Sequence, residues 1–212
     1  MFSETIAASI LLICVGAFAA TNLHNILIVH RRRKDEESYA EIERPSGVAV
    51  GTAALATFAL SLETILYIFL ALSGLANPNS IPLGFGFELL PYIQLIGLAL
   101  AATGYLISIW SVMVRGVYAA SWEMKCDHKL ITSGPYRYVR HPSYLAYMLM
   151  FISMPLVWPN LLAFLPIAGI PGYYAVAIRE EELLTRRFGN EYIEYQKRTG
   201  RFFPRFSRRP KR

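Results

Sequence analysis

The sequence predicts an all-α integral membrane protein with about five transmembrane helices, the last two a tight hairpin, and a cytoplasmic C-terminal helix. Three observations predict it. Of 212 residues, 54% are hydrophobic and only 17% charged, against about 25% charged in soluble domains. Mean hydropathy is +0.35, which excludes a disordered or fibrous chain and argues against a soluble domain. All 21 Lys and Arg fall in three windows, Arg31–Arg44, Arg115–Arg140 and Arg179–Arg212, separated by long stretches without a basic residue. The net charge of +6 would by itself suit a nucleic-acid binder, but this placement and the lack of a nucleic-acid fold motif argue against one.

A membrane helix needs about 20 predominantly apolar residues. The first span, Ile6–Val29, ends at Arg31-Arg32-Arg33-Lys34. It starts with an acidic residue, Glu4, and is longer than the apolar core of a signal peptide, so it reads as a retained helix. Gly47–Leu72 follows Pro45 and precedes a stretch rich in Gly, Pro and Asn. Leu89–Val114 ends at Arg115. Ser143–Trp158 and Asn160–Ile178 are short and are separated by the Trp158-Pro159-Asn160 turn. Pro155, Pro166 and Pro171 are expected to kink this hairpin, which packing against other helices would make tolerable.

Five spans put all three basic windows on one side and leave no Lys or Arg on the other. By the positive-inside rule the N-terminus is outside and the basic side cytoplasmic. Reading the last two segments as one re-entrant element leaves the same sidedness. The chain reads as one membrane domain: spans at 1–114, a polar core at 115–204 and a basic tail at 205–212. The tail suits attraction to anionic lipid headgroups. Cys14 and Cys126 do not form a disulfide framework. Small residues in the third span (Gly97, Ala99, Ala101, Ala102, Gly104) permit close helix packing within or between chains. Glu63 lies mid-span and is either a functional group or an interhelical hydrogen-bonding one.

Chemistry is expected where polar residues concentrate, between Ser121 and Tyr144 and between Arg179 and Tyr195. Both stretches meet at the cytoplasmic surface, open to a soluble cofactor and in touch with the bilayer. Backbone N–H groups near Ser133-Gly134 and Pro142-Ser143 suit an anion. Tyr136, Tyr138 and Tyr144 offer rings to a base or a cation. No phosphate loop, Rossmann fingerprint or clustered metal site is present; His128 and His141 lack an acidic partner at metal spacing. Glu180, Glu181 and Glu182 read either as site carboxylates or as a solvated helix end paired with Arg186 and Arg187. Tyr192 and Tyr195 read as packing residues of a surface helix.

Gly134-Pro135-Tyr136-Arg137-Tyr138-Val139-Arg140-His141-Pro142-Ser143-Tyr144 resembles the G-x-Y-x-x-x-R-H-P-x-Y motif of the isoprenylcysteine carboxyl methyltransferases and related phospholipid-methyltransferase-like membrane enzymes. His128-Lys129-Leu130-Ile131, Glu180-Glu181-Glu182-Leu183-Leu184, Phe188-Gly189-Asn190-Glu191-Tyr192 with Tyr195, and Thr199–Pro204 resemble further blocks of that family. The resemblance implies S-adenosylmethionine as cofactor, with S-adenosylhomocysteine as product. It implies contacts from His128, Lys129, Leu130, Ile131, Tyr136, His141, Pro142, Ser143 and Tyr144, with Glu180 on the methionine amino group and Arg140 in support. Ser121 stands where eukaryotic members carry a contacting Gln.

Members of the family also place an Arg one turn before the Glu to hold the substrate carboxylate. Here Val176 stands there, and Arg179, directly before Glu180, is the nearest Arg; Arg179 and Glu180 are therefore the expected catalytic pair. The implied substrate is lipophilic or prenylated and enters from the bilayer, as the α-carboxylate of an isoprenylcysteine-like acceptor. A lipid amine or thiol acceptor stays open because of Val176. A sterol-type NADPH reductase is disfavoured, because Ser143, Ala146 and Tyr147 replace the Asn, Gly and Asp of its motif. An inactive scaffold is the non-enzyme alternative.

Overall fold

The computed structural model describes residues 4–33, 39–42, 46–76, 84, 88–116, 118, 123–125 and 129–205. His128, Ser121, Cys126 and residues 206–212 of the basic tail lie outside them. Three long helices come first: α1 (Glu4–Arg33), α2 (Gly47–Leu72) and α3 (Leu90–Arg115). Pro91 occupies the first turn of α3, where its missing N–H costs no helical bond. A 3₁₀ turn (Gly134–Arg137) leads into α4 (Pro142–Val157), which again begins on a proline. A second 3₁₀ segment (Leu162–Gly169) runs into α5 (Ile170–Phe188), and α6 (Asn190–Arg198) closes the helical part.

The expected spans are present, with two refinements. Four helical stretches among the described residues are long and apolar enough to cross a membrane, the fourth being Leu162–Phe188. Helix α4 has 16 residues, roughly 24 Å at 1.5 Å per residue, less than a bilayer's hydrocarbon core. The prolines act more selectively than expected. Pro171 starts α5 and Pro166 sits in the 3₁₀ segment, so neither interrupts an α-helical ladder. Pro155 lies inside α4, three residues before its cap. Asn160 closes the hairpin between them: its side-chain amide donates to the Trp158 carbonyl at 2.9 Å, and its Oδ1 accepts from the Ala163 N–H at 3.1 Å.

One feature departs from an all-helical reading. Strands β1 (Tyr39–Ile42) and β2 (Glu123–Lys125) pair antiparallel, with Tyr39 opposite Lys125 and Ile42 opposite Glu123. They join the segments that follow α1 and α3.

The glycines of α3 set its approach to α4. A Cβ on Gly104 would lie 2.8 Å from Met150 Cγ and 2.9 Å from the Ala146 carbonyl oxygen; one on Gly97 would meet Leu156 Cβ at 2.8 Å. Of the small residues in this span, Gly97, Ala101 and Gly104 are buried, whereas Ala99 is exposed. The close packing is thus within the chain. Gly169 and Gly172 bring the start of α5 against α2, where added carbons would collide with Ala56 Cβ and Thr52 Oγ1. Large apolar side chains such as Ile13, Leu55, Phe58, Leu106 and Met113 point outward, as lipid-facing residues do.

At the end of the bundle away from the polar core, Glu4 ties three helices together. It accepts from the Tyr67 hydroxyl at 2.6 Å and from Gln94 Nε2 at 2.9 Å. Glu63 is buried in α2, and its Oε2 has no hydrogen-bond partner among the described residues.

Candidate methyl-donor site

The polar stretches singled out in the sequence converge on a cavity at the ends of α3, α4 and α5. Gly134 begins the wall. Its φ of +57° is one that residues with a side chain rarely adopt, and a Cβ would lie 2.6 Å from Val114 Cγ2. The turn it opens buries Tyr136 against the C-terminal end of α3. The chain then pairs with the C-terminal segment: the Arg140 N–H donates to the Gly200 carbonyl at 2.9 Å, and the His141 N–H to the Arg201 carbonyl at 3.0 Å. Pro142 immediately starts α4, so His141, Ser143 and Tyr144 sit on its first turn.

Glu180 and Glu181 face inward from α5, 5% and 6% exposed. This removes the solvated-helix-end reading for both, although Glu182 keeps it. The Tyr144 hydroxyl donates to Glu180 Oε1 at 2.7 Å. His141 Nδ1 lies 3.3 Å from Glu180 Oε2, and its Nε2 lies 3.3 Å from Glu181 Oε1. The imidazole also stacks on the Tyr144 ring, centroids 5.4 Å apart and planes 7° apart. Burial pulls the His141 pKa down, but the two carboxylates outweigh it, so the net direction is up from 6.5.

Glu181 is the hub behind the cavity wall. It accepts from Arg140 Nε at 2.9 Å and from Arg201 Nε and Nη2 at 3.1 and 2.9 Å. Arg140 also donates to the Thr199 carbonyl. This network fastens the C-terminal segment to α5 and holds the strip carrying His141.

The cavity is partly open to solvent and holds about 70 Å³ of room for water-sized molecules. Lys129, Leu130, Ile131, Tyr136, His141, Pro142, Ser143, Tyr144 and Glu180 all line it. Of the sequence-derived cofactor set, His128 lies outside the described residues. Arg179 does not join them: it is on the exposed face of α5, paired with Glu182 at 2.8 Å, because adjacent helical positions point about 100° apart. Val176 is buried.

Sequence reasoning missed five lining residues, Arg115, Tyr118, Leu184, Tyr192 and Tyr195. Arg115 reads as a span end, and the tyrosines of α6 read as packing. Their i, i+3 spacing does put both on one buried face, and the Tyr195 hydroxyl donates to the Tyr136 carbonyl at 2.6 Å. Burial raises the pKa of Tyr136, Tyr192 and Tyr195, so these phenols stay protonated at neutral pH.

Three buried side-chain polar atoms of the cavity have no hydrogen-bond partner among the described residues, Arg115 Nε, Ser143 Oγ and Tyr192 Oη, whereas His141 Nε2 keeps its 3.3 Å approach to Glu181 Oε1. Buried polar groups are ordinarily satisfied. Their concentration here fits a polar ligand, with donors and a carboxylate for a zwitterion and aromatic rings for a base.

Comparison with known proteins now bears on the same residues. The family model described as phospholipid methyltransferase matches residues 92–191. The chain resembles the integral membrane methyltransferases. It is 26% identical over 125 residues to a protein-S-isoprenylcysteine O-methyltransferase of Tribolium castaneum, covering 56% of this chain and 44% of that one. It is 33% identical over 121 residues to the cobalt-zinc-cadmium resistance protein CzcN of Cupriavidus metallidurans, covering 56% and 51%. A solved structure of a eukaryotic intramembrane Ras methyltransferase, isoprenylcysteine carboxyl methyltransferase, aligns over 77% of this chain and 54% of that one, with TM-score 0.47 and 22% identity. The chain spans about half the length of these relatives. The four apolar spans among the described residues mark an integral, multi-pass membrane protein.

Proposed function

We propose that this protein is a membrane methyltransferase using S-adenosylmethionine, with the α-carboxylate of an isoprenylcysteine-like lipid as acceptor. The observation that carries the reading is the meeting of Glu180, Tyr136 and the 140–144 strip in one cavity, where Arg115 Nε, Ser143 Oγ and Tyr192 Oη are buried without partners. When bound, S-adenosylmethionine supplies an electrophilic methyl group on a positively charged sulfur.

The protein's part is binding, orientation and exclusion of water. Glu180, held by Tyr144, receives the amino group of the donor's methionine portion. Lys129, Leu130, Ile131 and the start of α4 offer backbone N–H groups, while Tyr136 and Tyr192 offer ring faces and protonated phenols. A carboxylate acceptor is already ionised at neutral pH and needs no general base. Alignment and a poorly hydrated cavity are then the main contributions.

One observation keeps a second acceptor class in play. Val176 and the outward Arg179 leave this face of α5 without an inward cation. A thiol or amine acceptor needs no such cation but must lose a proton, for which the Glu180–His141 pair is the available base.

The cavity is assigned to the cytoplasmic side and the N-terminus to the outside, in the plasma membrane of a prokaryote or the endoplasmic reticulum of a eukaryote. The one-sided distribution of all 21 basic residues supports this. Residues 115–204 form the donor-binding core, and the basic tail 205–212 docks on anionic lipid.

Binding of S-adenosylhomocysteine and NADPH to the purified chain, followed by labelled methyl transfer to prenylcysteine analogues, lipid amines and thiols, tests the proposal. Binding of the first nucleoside and labelling of prenylcysteine are expected. Binding of NADPH alone would point to a reductase, and binding of neither to a scaffold.

A further inference from the structure

Arg115 is the last residue of α3, a position from which a long cationic side chain at a membrane boundary generally reaches toward water. Here it turns inward. It lines the same cavity as Glu180, and its Nε is buried without a hydrogen-bond partner. The Tyr136 phenol lies within hydrogen-bonding reach of both Arg115 and Ser143, yet Arg115 Nε and the buried Ser143 Oγ complete no well-formed hydrogen bond. The other cations on the wall are placed differently: Arg140 is tied to Glu181 at 2.9 Å, and Lys129 is exposed. Among the described residues, no acidic side chain lies within ion-pair distance of Arg115.

A buried guanidinium N–H without an acceptor is costly. A carboxylate would satisfy it with the planar, two-pronged geometry that guanidinium prefers, and Ser143 Oγ would add a second donor. The wall is then divided in charge, with Glu180 for an ammonium group and Arg115 for a carboxylate. This also accounts for the absence of an inward cation one turn before Glu180, where Val176 stands: the cation enters from α3 instead.

We propose that Arg115, assisted by Ser143, is the carboxylate-binding group of this cavity. The inference rests on the methyl-donor reading and names a specificity residue within it. Two carboxylates share this chemistry, the α-carboxylate of the donor's methionine portion and that of the acceptor.

The test uses the purified full chain as wild type, Arg115→Gln, Arg115→Lys and Ser143→Ala, with thermal melts to confirm folding. The ligands are S-adenosylhomocysteine, 5′-methylthioadenosine (which lacks the amino-acid portion) and a prenylcysteine acceptor. If Arg115 holds the donor carboxylate, Arg115→Gln weakens S-adenosylhomocysteine about 10- to 100-fold. 5′-Methylthioadenosine is then unaffected, Arg115→Lys recovers part of the loss, and Ser143→Ala gives a smaller one. If it holds the acceptor carboxylate, S-adenosylhomocysteine binding is unchanged and KM for prenylcysteine rises by a similar factor, while KM for a carboxylate-free thiol is not altered.

Unchanged binding and KM in Arg115→Gln would overturn the proposal, as would an equal loss for 5′-methylthioadenosine. Should Arg115→Gln fail to fold, Arg115→Lys and Ser143→Ala carry the same comparison. Wild-type protein that binds no S-adenosylhomocysteine would instead overturn the methyl-donor reading, and this assignment with it.

Discussion

The Tyr144 hydroxyl, on the first turn of α4, donates to Glu180 Oε1 at 2.7 Å on α5. The bond fixes a carboxylate on one wall of a cavity otherwise rich in donors and aromatic rings. Removing the hydroxyl leaves Glu180 present but less constrained. Tyr144→Phe is therefore expected to weaken S-adenosylhomocysteine binding by about tenfold. Calorimetric titration of the variant checks this, and an unchanged Kd would mean that the bond does not orient Glu180.

His141 gives the site a defined pH response. Its folded-state pKa is raised above 6.5 by Glu180 and Glu181 against the opposing effect of burial. A group with a raised folded pKa contributes stability fully below its unfolded value and loses it as pH rises through the folded value. Thermal stability of the wild type is expected to fall as pH increases above 6.5. His141→Gln should flatten that slope. Parallel melting curves for the two proteins across this range would contradict the assignment.

Glu181 is expected to matter for folding more than for ligand contact. It receives Arg140 and Arg201 from two different segments. Glu181→Gln strands a buried Arg140 without its counter-charge, a change worth about 3–5 kcal/mol in comparable buried pairs. A markedly lowered Tm in detergent, together with proteolysis near residues 199–203, is the expected result. Arg201→Ala should cost less, because that side chain is partly exposed.

The α3–α4 seam depends on backbone proximity. Gly104→Leu places side-chain atoms where Met150 Cγ and the Ala146 carbonyl already lie within 3 Å of the first added carbon. Overpacking of this kind costs about 1–3 kcal/mol. Gly16→Ala, with nothing within 4 Å of its added carbon, is the neutral control. Equal melting temperatures for the two variants would argue against this packing.

Much of this was legible in the chain because apolar length and turn prolines report local structure directly. The bounds of α2 follow from an apolar run between two turn-forming stretches, and the 134–144 strip carries its spacing within eleven residues. What escaped depends on distance and direction. The pairing of Tyr39–Ile42 with Glu123–Lys125 joins segments some eighty residues apart, each too short to show strand alternation. Arg201 meets Glu181 across an intervening helix, so no periodicity connects them. Arg115 has the pattern of an interfacial anchor, and only the fold reveals that it turns inward. Arg179 shows the converse: adjacency to Glu180 in sequence places it on a different helix face.

The most direct measurement is the affinity of purified wild type and Glu180→Ala for S-adenosylhomocysteine. The account predicts clear binding by the wild type and a loss of about tenfold or more in the variant, as expected when a charged hydrogen-bond partner is removed. No binding by well-folded wild type, or the same affinity in both proteins, would contradict it.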